Sequence, residues 1–100
     1  MKSNDCLPAL KALADPTRLK LVELLLAGPG TVNELAEKLG TPQYNVSKHL
    51  RILREAGLVE GEVDGQHREY TVPNSLREKL RDGGKALELG CCTFRFDRSA

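Results

Sequence analysis

A mainly α fold with a small β-hairpin wing is what this 100-residue sequence predicts, and three observations predict it. Leucine-rich segments at helical spacing fill the first half, and three of them are bounded by a capping residue and a glycine. The chain is 40% hydrophobic with only 4% aromatic residues and no tryptophan, which favours helix packing over a sandwich or barrel. One stretch changes period: "LVEGEVDGQHREYTV" is two β-prone runs around Asp64-Gly65, a dipeptide suited to a tight hairpin.

The elements follow in order. "DCLPALKALAD" is a short amphipathic helix with Leu7, Leu10 and Leu13 on one face, and Pro8 fits only its first turn. "DPTRLKLVELLLAG" begins with Asp15 as N-cap and Pro16 at the first helical position, and stops at Gly28-Pro29. "TVNELAEKLG" carries a capping box, Thr31 with Glu34, and ends at Gly40. "TPQYNVSKHLRILREAG" repeats the pattern, with Thr41 as cap, Pro42 first and Gly57 as terminator. A two-residue hairpin loop at Asp64-Gly65 pairs Val63 with Gln66 and Glu62 with His67. After Pro73, "NSLREKLRDGGKALELG" predicts a last helix with Leu76, Leu80 and Leu87 on one stripe, weakened at Gly83-Gly84. Four helices, a hairpin and a last helix make one domain over residues 1–100, with a cysteine-containing tail at 90–100.

Several function classes fall away. No apolar run approaches the roughly 20 residues that span a bilayer, and "MKSNDCLPAL" lacks the apolar core of a signal peptide. The expectation is a cytoplasmic protein with no membrane partner. There, three cysteines, an odd number, do not suggest a structural disulfide framework. No phosphate loop or nucleophile elbow appears, and no cysteine has a neighbouring base, so no enzyme and no catalytic residue is expected. The net charge of +1 says nothing about nucleic acid; that argument rests on local placement.

Residues 31–57 hold two short helices joined by a tight turn at Gly40-Thr41, a helix-turn-helix. On the second helix, Val46, Leu50 and Leu53 point inward, while Gln43, Tyr44, Ser47, Lys48 and Arg51 point largely outward. Amide, hydroxyl and cationic groups on one face suit major-groove base edges and flanking phosphates. Lys48, Arg51 and Arg54 against Glu55 give Thr41–Gly57 a surplus of +2. On periodicity alone a solvated helix face explains this equally well. The hairpin downstream, tipped by Asp64, Gly65, Gln66, His67 and Arg68, completes a winged helix-turn-helix plan in which the wing reaches phosphates or the minor groove. A protein-interaction module built on the same plan is the competing class; it would show no salt-dependent binding to a duplex.

"LKALADPTRLKLVELLLAG" and "TVNELAEKLGTPQYNVSKHLRILREAGLVEGEVDGQHREYTV" closely resemble the ArsR/SmtB family of small dimeric winged-helix repressors, over about residues 7–75. The resemblance implies a homodimer built from the first and last helices. It further implies binding to an inverted-repeat operator on double-stranded DNA, without a cofactor, and release by an inducer. Carried over by position, Gln43, Tyr44, Ser47 and Lys48 face bases, while Thr41, Asn45, Arg51 and the wing residues Gln66, His67 and Arg68 hold the backbone. Tyr44 and Asn45 stand where the family usually has small polar residues, so the operator sequence does not transfer. His49, in the family's S-x-H-L pattern, is structural or DNA-proximal rather than a metal ligand.

The inducer must be argued from residues. A zinc-type site of this family needs histidines in the last helix, and residues 75–89 contain none. The other familiar site places Cys-x-Cys in the third helix, which reads "NELAEKL". What remains is Cys6, Cys91 and Cys92, at the two ends of the chain. In a dimer joined through its first and last helices these ends meet, within or between subunits. Cys6 falls in or beside the first helical turn, where the helix dipole favours a thiolate. Three soft thiolates suit trigonal As(III) or Sb(III) better than tetrahedral zinc. Thiol redox or persulfide sensing is an alternative, and so is a packing role: "CCTFRF" alternates like a terminal strand with Cys92, Phe94 and Phe96 on one face. Gly90 permits the turn that would let both adjacent cysteines act together.

Overall fold

A computed structural model describes residues 6–64 and 67–96. Helices α1 (Cys6–Leu13), α2 (Pro16–Ala27), α3 (Val32–Leu39) and α4 (Gln43–Glu55) follow the order the sequence predicts, with a two-residue strand β1 (Gly30–Thr31) between α2 and α3. Strands β2 (Glu60–Asp64) and β3 (His67–Thr71) form the hairpin, and α5 (Asn74–Arg77) follows. Three short strands close the described chain: β4 (Leu80–Arg81), β5 (Ala86–Glu88) and β6 (Thr93–Arg95).

The caps explain the helix boundaries. The Asp15 carboxylate accepts from Thr17 N and Arg18 N at 3.0 Å each, satisfying two of the N–H groups that open α2. Thr31 and Glu34 form the reciprocal capping box of α3. That helix ends in a Schellman arrangement, with Thr41 N donating to Ala36 O across a left-handed Gly40. Thr41 does not cap α4. Its hydroxyl donates back to Leu39 O at 3.4 Å and Pro42 occupies the cap position, because the Schellman turn has already committed Thr41 to closing α3. At the other end of α2, Arg77 donates to Leu25 O and Leu26 O, so the last carbonyls of α2 are held by a side chain about fifty residues away.

The core lies where the helices meet the hairpin. Leu13, Leu21, Leu25, Val46, Leu50, Leu53, Leu58 and Val59 are fully or almost fully buried. On α1 the inward face is Cys6, Ala9, Ala12 and Leu13 rather than the predicted Leu7, Leu10 and Leu13; Leu7 stands half out of the fold. The reason is covalent: Cys6 is bonded to Cys91, which turns that side of the helix inward.

The hairpin differs from the expected one by a single step. The observed pairs are Asp64 with His67, Val63 with Arg68 and Glu62 with Glu69, so Gly65 and Gln66, outside the described residues, connect the strands. In this register Tyr70 lies opposite Gly61 on one side and Gly30 of β1 on the other. A Cβ built on Gly61 would stand 3.1 Å from Tyr70 Cε2. Placing the bulky ring against two residues without side chains selects this register over the one suggested by the Asp-Gly dipeptide.

The predicted last helix is not formed beyond Arg77. Residues 80–95 make a second antiparallel sheet in the order β4-β5-β6, with Leu80 opposite Leu87 and Leu87 opposite Phe94. Asp82, Gly83 and Gly84 all take positive φ, a conformation no right-handed helix accepts, and two interior glycines would cost a helix roughly 2 kcal/mol. The Leu80–Leu87 spacing that fits a helical stripe fits a tight hairpin as well. The winged helix-turn-helix stands, but the described residues contain no long last helix through which a dimer would pack.

Candidate nucleic-acid interface and cysteine site

Helix α4 presents two unlike sides. Val46, Leu50 and Leu53 are fully buried, while Gln43, Tyr44, Ser47, Lys48 and Arg51 are exposed, as the sequence predicts. Tyr44 is 74% exposed; holding a large aromatic ring in water has no packing benefit and leaves it available to a partner. Asn45 and Thr41 are half-buried at the edge of this face. Gln43 is not free to swing, because its amide donates to Asn33 Oδ1 of α3 at 2.7 Å. Sequence reasoning missed Asn33; the two residues are ten apart and meet only through the turn between the helices. Arg51 pairs with Glu55 at 3.3 Å on the open surface. Such an exposed pair is worth at most about 1 kcal/mol, so a phosphate can displace it.

On the wing, Arg68 is exposed. Gln66 and the side chain of His67 lie outside the described residues. His49 sits on the inner shoulder of α4, its side chain 22% exposed, with Nδ1 3.3 Å from Arg18 Nη1 and 4.0 Å from Asp15 Oδ2. Arg18 is a donor only, so Nδ1 accepts. The bond to the Arg18 backbone N–H, followed by the charge of Arg18 and the bond to the Thr17 backbone N–H, holds the Asp15 carboxyl below its ordinary value.

The three cysteines converge at the opposite ends of sequence but at one place in the fold. Cys6 opens α1 and is buried; Cys91 and Cys92 lie in the turn from β5 to β6. Leu89 N donates to Cys92 O at 2.8 Å, closing a two-residue loop of Gly90 and Cys91 in which Gly90 takes φ 100°. Glu88 fastens this loop, accepting from the Thr93 hydroxyl at 2.6 Å and from Gly90 N at 3.1 Å; these bonds hold its carboxyl below the ordinary value. Within that turn Cys91 Sγ and Cys92 Sγ are 3.9 Å apart.

Cys6 and Cys91 form a disulfide with Cα atoms 6.1 Å apart, an ordinary span for such a bond. This corrects the expectation of three reduced thiols without a disulfide. The β5–β6 hairpin, whose first strand the sequence reading takes as the end of a helix, is what carries Cys91 to the start of α1. Cys92 keeps its thiol and is half-buried. Its strand alternates as expected, with Phe94 and Phe96 in edge-to-face contact at 5.6 Å. With Cys6 and Cys91 joined, no group of three His, Cys, Asp or Glu among the described residues is arranged to hold a metal ion.

A helix-turn-helix whose second helix is polar outward, followed by a three-stranded wing sheet, defines the winged helix-turn-helix class. The comparisons with known proteins agree. A helix-turn-helix domain model matches residues 13–62. A probable mercury resistance operon repressor of Streptomyces lividans is 37% identical over 89 residues, covering 83% of this chain and 71% of that protein. A crystal structure of a possible transcriptional regulator for arsenical resistance is similar over 66% of this chain and 69% of its own, at 44% identity and TM-score 0.63. A homodimeric winged helix-turn-helix DNA-binding domain from Mycobacterium bovis, described as a possible ArsR-family regulator, covers 69% of this chain and 64% of its own at 30% identity and TM-score 0.66. This chain belongs to the ArsR/SmtB family of winged helix-turn-helix transcriptional repressors.

Proposed function

We propose that this protein represses transcription as a homodimer on an inverted-repeat operator and lets go when a thiophilic inducer engages Cys6, Cys91 and Cys92. The carrying observation is the convergence of all three cysteines, from both ends of the chain, at the start of α1 and the β5–β6 turn. On the DNA side, Gln43, Tyr44, Ser47 and Lys48 read bases, while Thr41, Asn45, Arg51 and the wing residues Gln66, His67 and Arg68 hold phosphates. The exposure of the α4 face supports this reading. No cofactor is needed for that grip, and the setting is cytoplasmic; no helix among the described residues is long and apolar enough to cross a membrane.

The inducer we favour is As(III) or Sb(III). A disulfide sulfur is a poor donor, so the metalloid is taken by the reduced protein, in which Cys6, Cys91 and Cys92 supply three soft thiolates. The similarity to regulators named for mercury and arsenical resistance fits a thiophilic ligand. A second reading is favoured by the Cys6–Cys91 bond itself. Here a peroxide accepts two electrons and two protons from the thiol pair, leaves as water, and the new S–S bond is the signal. One panel separates them: DNA release from the reduced protein, measured against arsenite, antimonite, zinc, cadmium and peroxide in turn. Release by arsenite and antimonite supports the first reading, and release by peroxide alone supports the second. Release by none of them would refute both.

A further inference from the structure

Helix α1 is fastened at both ends. Its first residue, Cys6, is bonded to Cys91. At its far end the Ala12 carbonyl accepts from Arg18 Nε at 2.7 Å, the shortest of the Arg18 contacts. The same guanidinium reaches His49 Nδ1 on α4 at 3.3 Å. One planar group therefore joins the end of the cysteine-bearing helix to the inner shoulder of the helix proposed to read DNA. Asp15, one turn from both, is occupied in capping α2.

The outer edge of the seam between these helices is open to solvent. A shallow surface groove of about 390 Å³ runs along it, lined by Pro8, Ala12, Arg18, Ile52 and Ala56 among others. Close-packed contacts resist displacement. At this outer edge α1 is not close-packed on α4, and the Arg18 fork is the polar link that bridges the two helices there.

We infer that Arg18 is a positioning residue that transmits the bonding state of Cys6 to the recognition helix through His49. Release of Cys6 from Cys91 frees the start of α1, the Ala12 carbonyl moves with the helix, and the rigid guanidinium passes that movement to the imidazole. Lysine cannot replace it, because a single ammonium lacks the fixed fork that spans two acceptors. The inference rests on the reading that cysteine chemistry controls DNA binding.

The test uses an inverted-repeat duplex selected on the reduced protein. Affinities are measured for the disulfide form and for the form reduced with dithiothreitol, in wild type, Arg18→Lys and His49→Ala. The wild-type forms should differ by roughly tenfold, within the usual span of coupling between sites. In both variants the two forms should agree within about twofold. By NMR, the His49 imidazole shifts should differ between the two wild-type forms and coincide in Arg18→Lys, which a merely structural Arg18 would not cause. Variants that keep the wild-type ratio overturn the role of Arg18 and leave the cysteine reading standing. A wild-type ratio of one overturns the role of Arg18 together with the redox reading, and the arsenite titration of the reduced protein then decides the metalloid reading on its own.

Discussion

Breaking the Cys6–Cys91 bond should cost this fold a large part of its stability. The two residues are 85 apart in sequence. The chain-entropy relation for a closed loop of that length gives about 15 cal/mol/K, or about 4.5 kcal/mol at 25 °C. A domain of this size has roughly 5–15 kcal/mol in all. Reduction should therefore move the guanidinium midpoint down by about 1–2 M. The assay is a denaturation curve for each form at one fixed protein concentration, because assembly into dimers also shifts the midpoint. Cys6→Ser and Cys91→Ser should match the reduced wild type even under oxidising conditions, whereas Cys92→Ser should match the oxidised protein. Coincident curves for oxidised and reduced wild type would refute the reasoning. So would a Cys92→Ser variant that lost the difference, since the pairing would then be wrong.

Three further outcomes follow from named contacts. Replacing Gln43 or Ser47 with alanine should relax base preference at particular operator positions by roughly 1–3 kcal/mol, whereas Arg68→Ala should weaken all duplexes alike and flatten the salt dependence; gel-shift titrations over several salt concentrations distinguish the two. Gly61→Val should destabilise the wing by roughly 1–3 kcal/mol, because its side chain meets the Tyr70 ring, and thermal melts check this. Asp15→Ala should cost about 1 kcal/mol at neutral pH through the lost cap. The Asp15 carboxyl is held below its ordinary value of 3.8, so its contribution is complete above that value and disappears as pH falls through the lower folded value. Urea melts from pH 6 to pH 2 should show the wild-type advantage over Asp15→Ala shrinking only at the acid end.

The parts of this fold that were legible in the sequence are those encoded locally. Asp15-Pro16, Thr31 with Glu34, and Gly40 each fix a helix end within one turn of themselves, and the inward set Val46, Leu50 and Leu53 follows from helical spacing alone. What escaped depends on contacts between distant residues. Leu76, Leu80 and Leu87 fit a helical stripe, and only the turn at Asp82-Gly83-Gly84 and the pairing of Leu87 with Phe94 decide for a sheet. The hairpin register is settled by Tyr70 lying over Gly61, not by the loop residues. The exposure of the α4 polar face was legible for the same local reason, but the links that set its pose, Asn33 to Gln43 and Arg18 to His49, join separate helices. The cysteines were recognised as a group at the two termini. Their covalent pairing was not, because it requires β5 to pair with the strand after Cys92, where the helical reading of residues 74–90 leaves no partner strand.

The most direct test of the account is one titration: fluorescence anisotropy of a labelled inverted-repeat duplex bound by the reduced protein, with arsenite added, for wild type beside Cys91→Ser. A ligand releases DNA only through its differential affinity for the free and bound states, so removing its site should remove the release and leave the basal grip. The account predicts equal DNA affinity before arsenite, release of the wild type on addition, and retention of the duplex by Cys91→Ser. Release of Cys91→Ser at the wild-type arsenite concentration would contradict it.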